Sequence, residues 1–245
     1  MDLGLEGKSC IVTGASRGIG KAAAAALAAE GARVVAVARG GGDLELDVTA
    51  SDAAERILAE CPEPWALVNN AGMSHARPLD ELSDEDWNDQ WELHVMAPMR
   101  LMRALAPRMA ERGGGRIVNV SSSAGKRPSG ALDPSYSVTK AALLSLSRLF
   151  ADSWASKGVL VNAVTPGVVE GDLWTREGGL ADEIAKRTGS TREEVLESTR
   201  SKPPLGRMGT EEEIAAVIAF LCSERASNVA GAAWSVDGGS VPVII

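Results

Sequence analysis

A tyrosine and a lysine stand four residues apart in the stretch PSYSVTKAAL, residues 134–143, and Tyr136 is the only tyrosine in the 245-residue chain. Pro134 suits the first turn of a helix, and residues at this spacing share one helical face. A tyrosine hydroxyl can give or take a proton, but its ordinary pKa of about 10 is high for a base near neutral pH. A nearby ammonium lowers such a pKa, so Lys140 is expected to tune Tyr136. The alternative is an amphipathic helix side that does no chemistry.

A glycine-rich turn, TGASRGIG at residues 13–20, follows an apolar run and precedes an alanine-rich stretch. Glycines let the backbone turn tightly and approach an anion. The N-terminus of the following helix offers free N–H groups and the positive end of its dipole. The spacing GxxxGxG between a strand and a helix therefore predicts a site for the pyrophosphate of a nucleotide.

Short apolar runs rich in β-branched residues alternate with helical stretches along the chain. The predicted strands are 9–14, 32–38, 43–48, 65–72, 116–122, 158–164 and 232–239. The predicted helices are 17–30, 51–60, about 84–111, 134–157 and 211–223. This alternation predicts an α/β protein with a doubly wound, mostly parallel, seven-stranded sheet of the Rossmann type and helices on both faces. No linker or repeat interrupts it, so we expect one domain over residues 1–245.

Two places depart from the alternation. Only RGGG, residues 39–42, separates the second and third predicted strands, which is too short for a crossover helix. Either these strands connect in an unusual way, or the third is a vestigial edge strand. Residues 171–210 carry no strand pattern and have weak helical character. An insertion beyond the C-terminal end of a strand is where a substrate lid would lie.

Composition excludes several classes of function. The chain carries 25 basic and 33 acidic residues, a net charge of −8, and no basic run, so we expect neither nucleic acid nor a membrane as partner. Cys10, Cys61 and Cys222 are far apart and form no CxxC pair, which argues against a metal site or a disulfide framework. The first residues do not read as a signal peptide, and the longest apolar run is too short to span a bilayer. We expect a protein of the reducing cytoplasm.

Six short motifs follow one another along the chain: TGASRGIG (13–20), NNAG (69–72), SSS (121–123), YSVTK (136–140), PG (166–167) and VDGG (236–239). In this order they resemble the short-chain dehydrogenase/reductase family from end to end. LGRMG (205–209) and the EEIA after it resemble the 3-oxoacyl-(acyl-carrier-protein) reductase branch. The resemblance implies an NAD(P)-dependent oxidoreductase acting on a ketone or secondary alcohol, with a 3-oxoacyl thioester among the candidates. It also implies a homo-oligomer, a tetramer or dimer.

A catalytically silent NADP-binding sensor or scaffold on the same fold is the alternative function. Such a protein would be expected to lose Tyr136 or Lys140, and this chain keeps both. A sugar-nucleotide epimerase or dehydratase usually has a longer C-terminal domain and a different glycine spacing.

The resemblance makes Tyr136 the general acid/base and gives Lys140 the nicotinamide ribose hydroxyls to hold. A second donor should polarise the substrate oxygen, and Ser121, Ser122 and Ser123 compete for that role. The distance to the tyrosine favours Ser123. We nevertheless choose Ser122, because the end of a strand fixes a residue's position better than the loop that follows it.

The resemblance also outlines the cofactor site, with Asn69, Ala71 and Gly72 toward the ribose and pyrophosphate. The predicted cofactor-binding residues are Gly14, Ser16, Arg17, Gly18, Ile19, Gly20, Arg39, Asp47, Val48, Asn69, Ala71, Gly72, Tyr136, Lys140 and Val169. Gly171 stands where the family commonly has a threonine, so one cofactor hydrogen bond is not expected here.

The residues near the end of the second predicted strand favour NADP(H). An acid there would take the ribose 2′-OH of NAD(H), but the position holds Ala38, and Arg39 follows it. Arg17 lies in the phosphate turn, and two guanidinium groups can clamp a 2′-phosphate. We expect a preference for NADP(H), with NAD(H) as the alternative.

His94 stands where the family commonly has an asparagine that helps to hold a water in a proton relay. Two interpretations are open. A catalytic His94 would join the relay and add a limb to the pH profile between about pH 5.5 and 7.5. Alternatively, His94 fills the space and is satisfied by the backbone.

Overall fold

The computed structural model describes residues 2–130 and 132–242, and within them seven strands form one sheet. The strand order is β3-β2-β1-β4-β5-β6-β7, and every neighbouring pair is parallel. The strands are Ser9–Thr13 (β1), Arg33–Ala38 (β2), Leu44–Glu45 (β3), Ala66–Asn69 (β4), Gly115–Val120 (β5), Val159–Pro166 (β6) and Ala233–Val236 (β7). The predicted doubly wound, seven-stranded sheet is confirmed, and it is parallel throughout the described residues.

Helices cover both faces of the sheet. They are Gly18–Ala29 (α1), Ala53–Glu60 (α2), Asp84–Trp91 (α3), Ala97–Glu111 (α4), Ser123–Lys126 (α5), Pro134–Trp154 (α6), Asp172–Thr175 (α7), Leu180–Thr188 (α8), Arg192–Ser201 (α9) and Glu211–Cys222 (α10). Because side chains alternate along a strand, Cys10 and Val12 of β1 pack with α1 and α10, whereas Ile11 packs with α2 and α4. Both faces of the sheet are therefore buried, which is why its strands read as continuous apolar runs.

The predicted long helix at 84–111 is divided into α3 and α4 by one wide turn of π-helix, Glu92–Met96, which contains His94. A π turn carries one more residue than a regular turn and is frequent at functional sites. Pro98 lies in the first turn of α4, where a missing backbone N–H is tolerated. The π turn changes the direction in which the residues after α3 point.

The loop between β2 and β3 decides between the two alternatives for the third predicted strand. The strand β3 has two residues and lies at the edge of the sheet, so it is the vestigial strand of the two alternatives. The Asp43 carboxylate accepts a hydrogen bond from the backbone N–H of Ala36 at 2.9 Å and holds the loop against β2. Because this loop is short, no crossover helix joins β2 to β3.

The insertion at 171–210 contains the three helices α7, α8 and α9. Trp174, Leu180 and Met208 form a small apolar cluster with Ala76, which belongs to the loop after β4. The insertion thereby lies against the segment that leaves the C-terminal end of the sheet. Within the described residues no helix has the length and apolarity to cross a bilayer, and no group of acidic, histidine or cysteine side chains could hold a metal ion.

Candidate active site

A cleft of about 820 Å³ lies where β1, β2, β4, β5 and β6 end, as in open parallel sheets that bind ligands. The residues that follow these strands line it, together with the start of α6 and the first residues of the insertion. Of the predicted set, the cleft is lined by Gly14, Ser16, Arg17, Gly18, Ile19, Arg39, Asp47, Val48, Ala71, Gly72, Ser122, Tyr136, Lys140 and Val169.

One end of the cleft is the glycine turn between β1 and α1. Gly14 has φ 66° and Gly18 has φ 62°, a region that other residues rarely adopt. A Cβ atom on Gly14 would lie 2.8 Å from the Cα of Ala71, and one on Gly20 would collide with the carbonyl of Gly14. No side chain caps the N-terminus of α1, so its first N–H groups face the cleft free for an anion. The turn fits the pyrophosphate of a dinucleotide.

Two residues predicted to bind the cofactor, Gly20 and Asn69, do not line the cleft. The small size of Gly20 serves the packing of α1 against the turn. The Asn69 side chain donates to Asn119 Oδ1 at 2.8 Å and so braces β4 against β5. Because side chains alternate along a strand, Asn70 is the residue that faces the turn, and its amide donates to the carbonyls of Thr13 at 3.0 Å and Gly14 at 3.2 Å. Alternation along NNAG puts Asn69 and Asn70 on opposite faces of the strand, but it does not say which of them faces the turn.

The charged residues expected to bind the adenosine half of the cofactor lie on the other side of the turn. Arg17 and Arg39 both line the cleft, and neither forms a salt bridge with any described residue. The carboxylate of Asp47 accepts hydrogen bonds from the backbone N–H and the hydroxyl of Thr49 at 2.9 and 2.7 Å. These bonds hold the pKa of Asp47 below its ordinary value, although burial acts against them. No acidic side chain stands at the last residue of β2, which is Ala38.

At the opposite end, Tyr136, Lys140 and Ser122 meet in one wall of the cleft. Lys140 is 4% exposed, and its Nζ donates to the carbonyl of Val120 at 2.9 Å. Burial lowers the pKa of Lys140 to about 7. Of the three serines, Ser121 donates to the Lys140 carbonyl at 2.8 Å, and Ser122 hydrogen-bonds with the Tyr136 side chain. Ser122 is thus the serine that the fold brings to the tyrosine hydroxyl.

Lys140 was expected to lower the pKa of Tyr136, but in this structure that pKa is raised. Burial raises the pKa of Tyr136. The hydrogen bond with Ser122 acts in the opposite direction but is the smaller effect. The Nζ of Lys140 lies 5.5 Å from the centre of the tyrosine ring and is directed to the Val120 carbonyl. Since the pKa of Lys140 is itself about 7, its positive charge is only partly present at neutral pH.

His94 lies behind the cleft and not in its wall. The side chain is 1% exposed; Nε2 accepts the backbone N–H of Met73 at 3.2 Å, and Nδ1 lies 3.1 Å from the hydroxyl oxygen of Thr139. That hydroxyl donates to the Tyr136 carbonyl at 3.1 Å, so Nδ1 carries the ring proton and donates to it. Burial first, and Lys140 second, hold the pKa of His94 well below its ordinary value. Protein groups engage both nitrogens, which favours the interpretation of a satisfied histidine over the proton relay.

Glu211 is a residue of the cleft that the sequence did not single out. Its carboxylate occupies the space beside Gly171 that a larger side chain would need. Burial, with Glu212 and Asp172 nearby, raises the pKa of Glu211. The absence of the common threonine at Gly171 is the only signal in the sequence that this part of the cleft differs.

Comparison with known proteins agrees with this architecture. A family profile described as enoyl-(acyl carrier protein) reductase matches residues 14–240. The 3-oxoacyl-(acyl-carrier-protein) reductase FabG of Escherichia coli is 36% identical over 255 residues, covering 97% of this chain and 98% of its own. A sorbitol dehydrogenase of Cereibacter sphaeroides is 34% identical over 96% of this chain and 98% of its own.

A solved structure shows the same likeness in three dimensions. The L-sorbose reductase of Gluconobacter frateurii, in complex with NADPH and L-sorbose, superposes with a TM-score of 0.89 at 34% identity, over 100% of both chains. The chain therefore belongs to the short-chain dehydrogenase/reductase family as an oxidoreductase of CH–OH and keto groups, and it resembles the 3-oxoacyl-(acyl-carrier-protein) reductases of that family.

Proposed function

We propose that this protein transfers a hydride between NADP(H) and a ketone or secondary alcohol, with Tyr136 as general acid/base. The observation that carries the proposal is the cleft itself. It has an anion-binding glycine turn with Arg17 and Arg39 at one end, and Ser122, Tyr136 and Lys140 at the other. Bound across this cleft, the nicotinamide would supply or accept the hydride.

The side chains at the catalytic end have separate tasks. Ser122 donates a hydrogen bond that polarises the substrate oxygen. Burial raises the pKa of Tyr136, so its hydroxyl is protonated at neutral pH and suited to give a proton to the alkoxide formed from a ketone. Lys140 is buried one turn further along α6, where its ammonium would bind the ribose hydroxyls of the nicotinamide half. His94 positions the Met73 backbone and Thr139 beside them.

The preference for NADP(H) over NAD(H) rests on charge. Two guanidinium groups, those of Arg17 and Arg39, line the cleft without salt bridges to the described residues, and β2 ends in Ala38 instead of an acid. Both features support binding of a 2′-phosphate. The related L-sorbose reductase was solved with NADPH. The relatives' names span L-sorbose, sorbitol and 3-oxoacyl thioesters, so the likeness alone leaves the substrate class open.

We also propose that the protein is a homo-oligomer, a tetramer or dimer, of the reducing cytoplasm. Two large apolar side chains of α6 are exposed, Val138 at 48% and Leu149 at 61%, as is common at subunit contacts. The three cysteines are buried and unpaired, which fits a reducing compartment. Light scattering on the purified protein tests the oligomeric state, and cell fractionation tests the location.

The activity is tested by following the absorbance of NADPH with a panel of ketones, and then with NADH in its place. We expect turnover with at least one ketone and a higher kcat/KM with NADPH. Binding of NADPH without turnover of any ketone, or of any alcohol with NADP⁺, would instead favour the silent sensor or scaffold. A higher kcat/KM with NADH would contradict the cofactor assignment alone.

A further inference from the structure

A second cavity of about 300 Å³ adjoins the active-site cleft, and we call it the side pocket. It is lined by Met73, His75, Arg77, Asp86, Asp89 and Gln90. Met73 and Asp89 also line the main cleft, so the two cavities share part of their wall. The pocket lies between the loop after β4 and the helix α3.

Buried polar atoms without a hydrogen-bond partner concentrate around this pocket. Among the described residues, five buried side-chain nitrogen or oxygen atoms have no partner, and three of them belong to Arg77 and Gln90 in the wall of the side pocket. A fourth belongs to Ser74, which lines the adjoining main cleft. Gln90 is 1% exposed, and both the nitrogen and the oxygen of its amide are unpaired. Folded proteins pair nearly all such atoms because burying them unpaired is costly. A cluster of them at one cavity marks a place where a ligand supplies the partners.

The walls of the side pocket are held by contacts that also reach the catalytic helix. Arg77 donates to Asp86 at 2.7 Å and to Asp133 at 3.2 Å, and Asp133 is the N-cap of α6, which carries Tyr136. From the insertion, Glu183 accepts the backbone N–H of the residue before Arg77 at 2.7 Å. The unpaired atoms are therefore presented by a wall that is already fixed relative to Tyr136.

The unpaired atoms select the chemistry of the ligand. The amide of Gln90 offers a donor and an acceptor, and the Nε of Arg77 is a donor. In the adjoining main cleft, the Ser74 hydroxyl offers both. Hydroxyl groups match this set, because each can donate and accept at once. The charge of Arg77 is balanced by Asp86 and Asp133, and Asp89 adds a further carboxylate, so the pocket disfavours an anionic group. An acyl chain would leave every one of these atoms unpaired.

We propose that the side pocket binds the hydroxyl groups at the far end of the substrate, which is a small, uncharged polyhydroxylated ketone or the matching alcohol. This inference rests on the proposed function and names the substrate class of the same site. Gln90 acts as the main specificity-determining residue and Arg77 is the second, while Ser74 contributes from the adjoining main cleft.

The test compares ketones that differ in the groups placed in the side pocket. The purified protein is assayed with NADPH and fructose, 2-hexanone, a keto-aldonate or an acetoacetyl thioester. We expect kcat/KM to be highest for fructose, by roughly ten-fold or more over 2-hexanone, because a site built for hydroxyl groups rejects analogues that lack them. In Gln90→Leu the ratio of the two kcat/KM values should fall by roughly ten-fold. Asn88→Ala, an exposed position on the same helix, is the matched control and should keep the ratio.

Thermal unfolding gives a second measurement. If Gln90 had only a structural role, Gln90→Leu would lower the Tm. Leucine fills the volume of glutamine and removes two unpaired atoms, so Gln90→Leu should melt at the same or a higher temperature than the natural protein. A lower Tm with an unchanged substrate ratio would overturn the inference and make Gln90 a structural residue. Equal kcat/KM for fructose and 2-hexanone, or a preference for the aldonate or the thioester, would overturn it too. Absence of turnover with every ketone and every alcohol would instead refute the proposed function on which it rests.

Discussion

His94 offers a direct test of how burial decides the role of a histidine. The structure keeps the ring neutral, with Nε2 accepting from Met73 and Nδ1 donating to Thr139, and its pKa lies well below the ordinary value. In the unfolded chain the same side chain titrates with a pKa near 6.5. Below that pH the unfolded state therefore binds a proton that the folded state does not, and the free energy of unfolding falls as the pH falls.

The size of this effect follows from linkage. At pH 5.5 the unfolded histidine is protonated about ten to one, which costs the folded state at most about 1.4 kcal/mol, whereas at pH 7.5 the cost is below about 0.1 kcal/mol. For a chain of this length about 1 kcal/mol shifts Tm by roughly 2–4 °C. His94→Asn removes the titration, so between pH 7.5 and 5.5 the natural protein should lose roughly 3–6 °C more than the variant.

The assay is thermal unfolding across this pH range for the natural protein, His94→Asn and His75→Asn, which removes the only other histidine. The excess acid slope should persist in His75→Asn and vanish in His94→Asn. Burial lowers the pKa of Lys140 to about 7, so a limb near pH 7 in the pH profile of kcat/KM belongs to Lys140 and should also persist in His94→Asn. If the asparagine variant lost a kinetic limb and kept the acid slope, His94 would be a proton carrier and the reasoning from burial would be wrong.

Four further substitutions test the cleft. Tyr136→Phe should lower kcat by roughly a hundred-fold or more while the Kd of NADPH stays within several-fold, and Lys140→Met should impair both; near-native kcat in the phenylalanine variant would remove Tyr136 from catalysis. Arg39→Ala should reduce the kcat/KM preference for NADPH over NADH by roughly ten-fold, since a charge-assisted hydrogen bond is worth roughly 1.5–3 kcal/mol; an unchanged ratio would show that Arg39 does not read the phosphate. Gly20→Ala should destabilise the fold by roughly 1–3 kcal/mol and weaken NADPH binding, because its Cβ meets the Gly14 carbonyl; native Tm and Kd would contradict the packing argument.

The order of strands and helices could be predicted because it rests on local periodicity. The runs CIV in β1 and ALV in β4 are apolar without alternation, and only strands covered on both faces need that composition. The π turn before α4 escaped prediction because WELHVMAP continues a helical pattern on both sides of it. Its one signal was Pro98, which marks a first helical turn as readily as an interior kink.

The lining of the cleft was predictable where short motifs determine it and not where distant segments meet. The glycine turn and the Tyr136–Lys140 pair are each contained in one loop or one helix. Whether Asn69 or Asn70 faces the glycine turn depends on the phase of β4, which the motif NNAG does not show. The sign of the Tyr136 pKa shift depends on how deeply the hydroxyl is buried, and that is a property of the assembled cleft. Glu211 reaches Gly171 across forty residues of sequence, so no local pattern could pair them.

Gln90 and His94 show how partners, more than burial, separate a structural side chain from a binding one. Both are 1% exposed and stand four residues apart, a spacing that in a regular helix would put them on one face. Their surroundings differ nevertheless: His94, within the π turn, contacts Met73 and Thr139, while Gln90, in α3, lines the side pocket. Every polar atom of the His94 ring is paired within the protein, whereas neither amide atom of Gln90 is. The first arrangement serves the fold by itself, and the second is complete only when a hydroxylated substrate provides its partners.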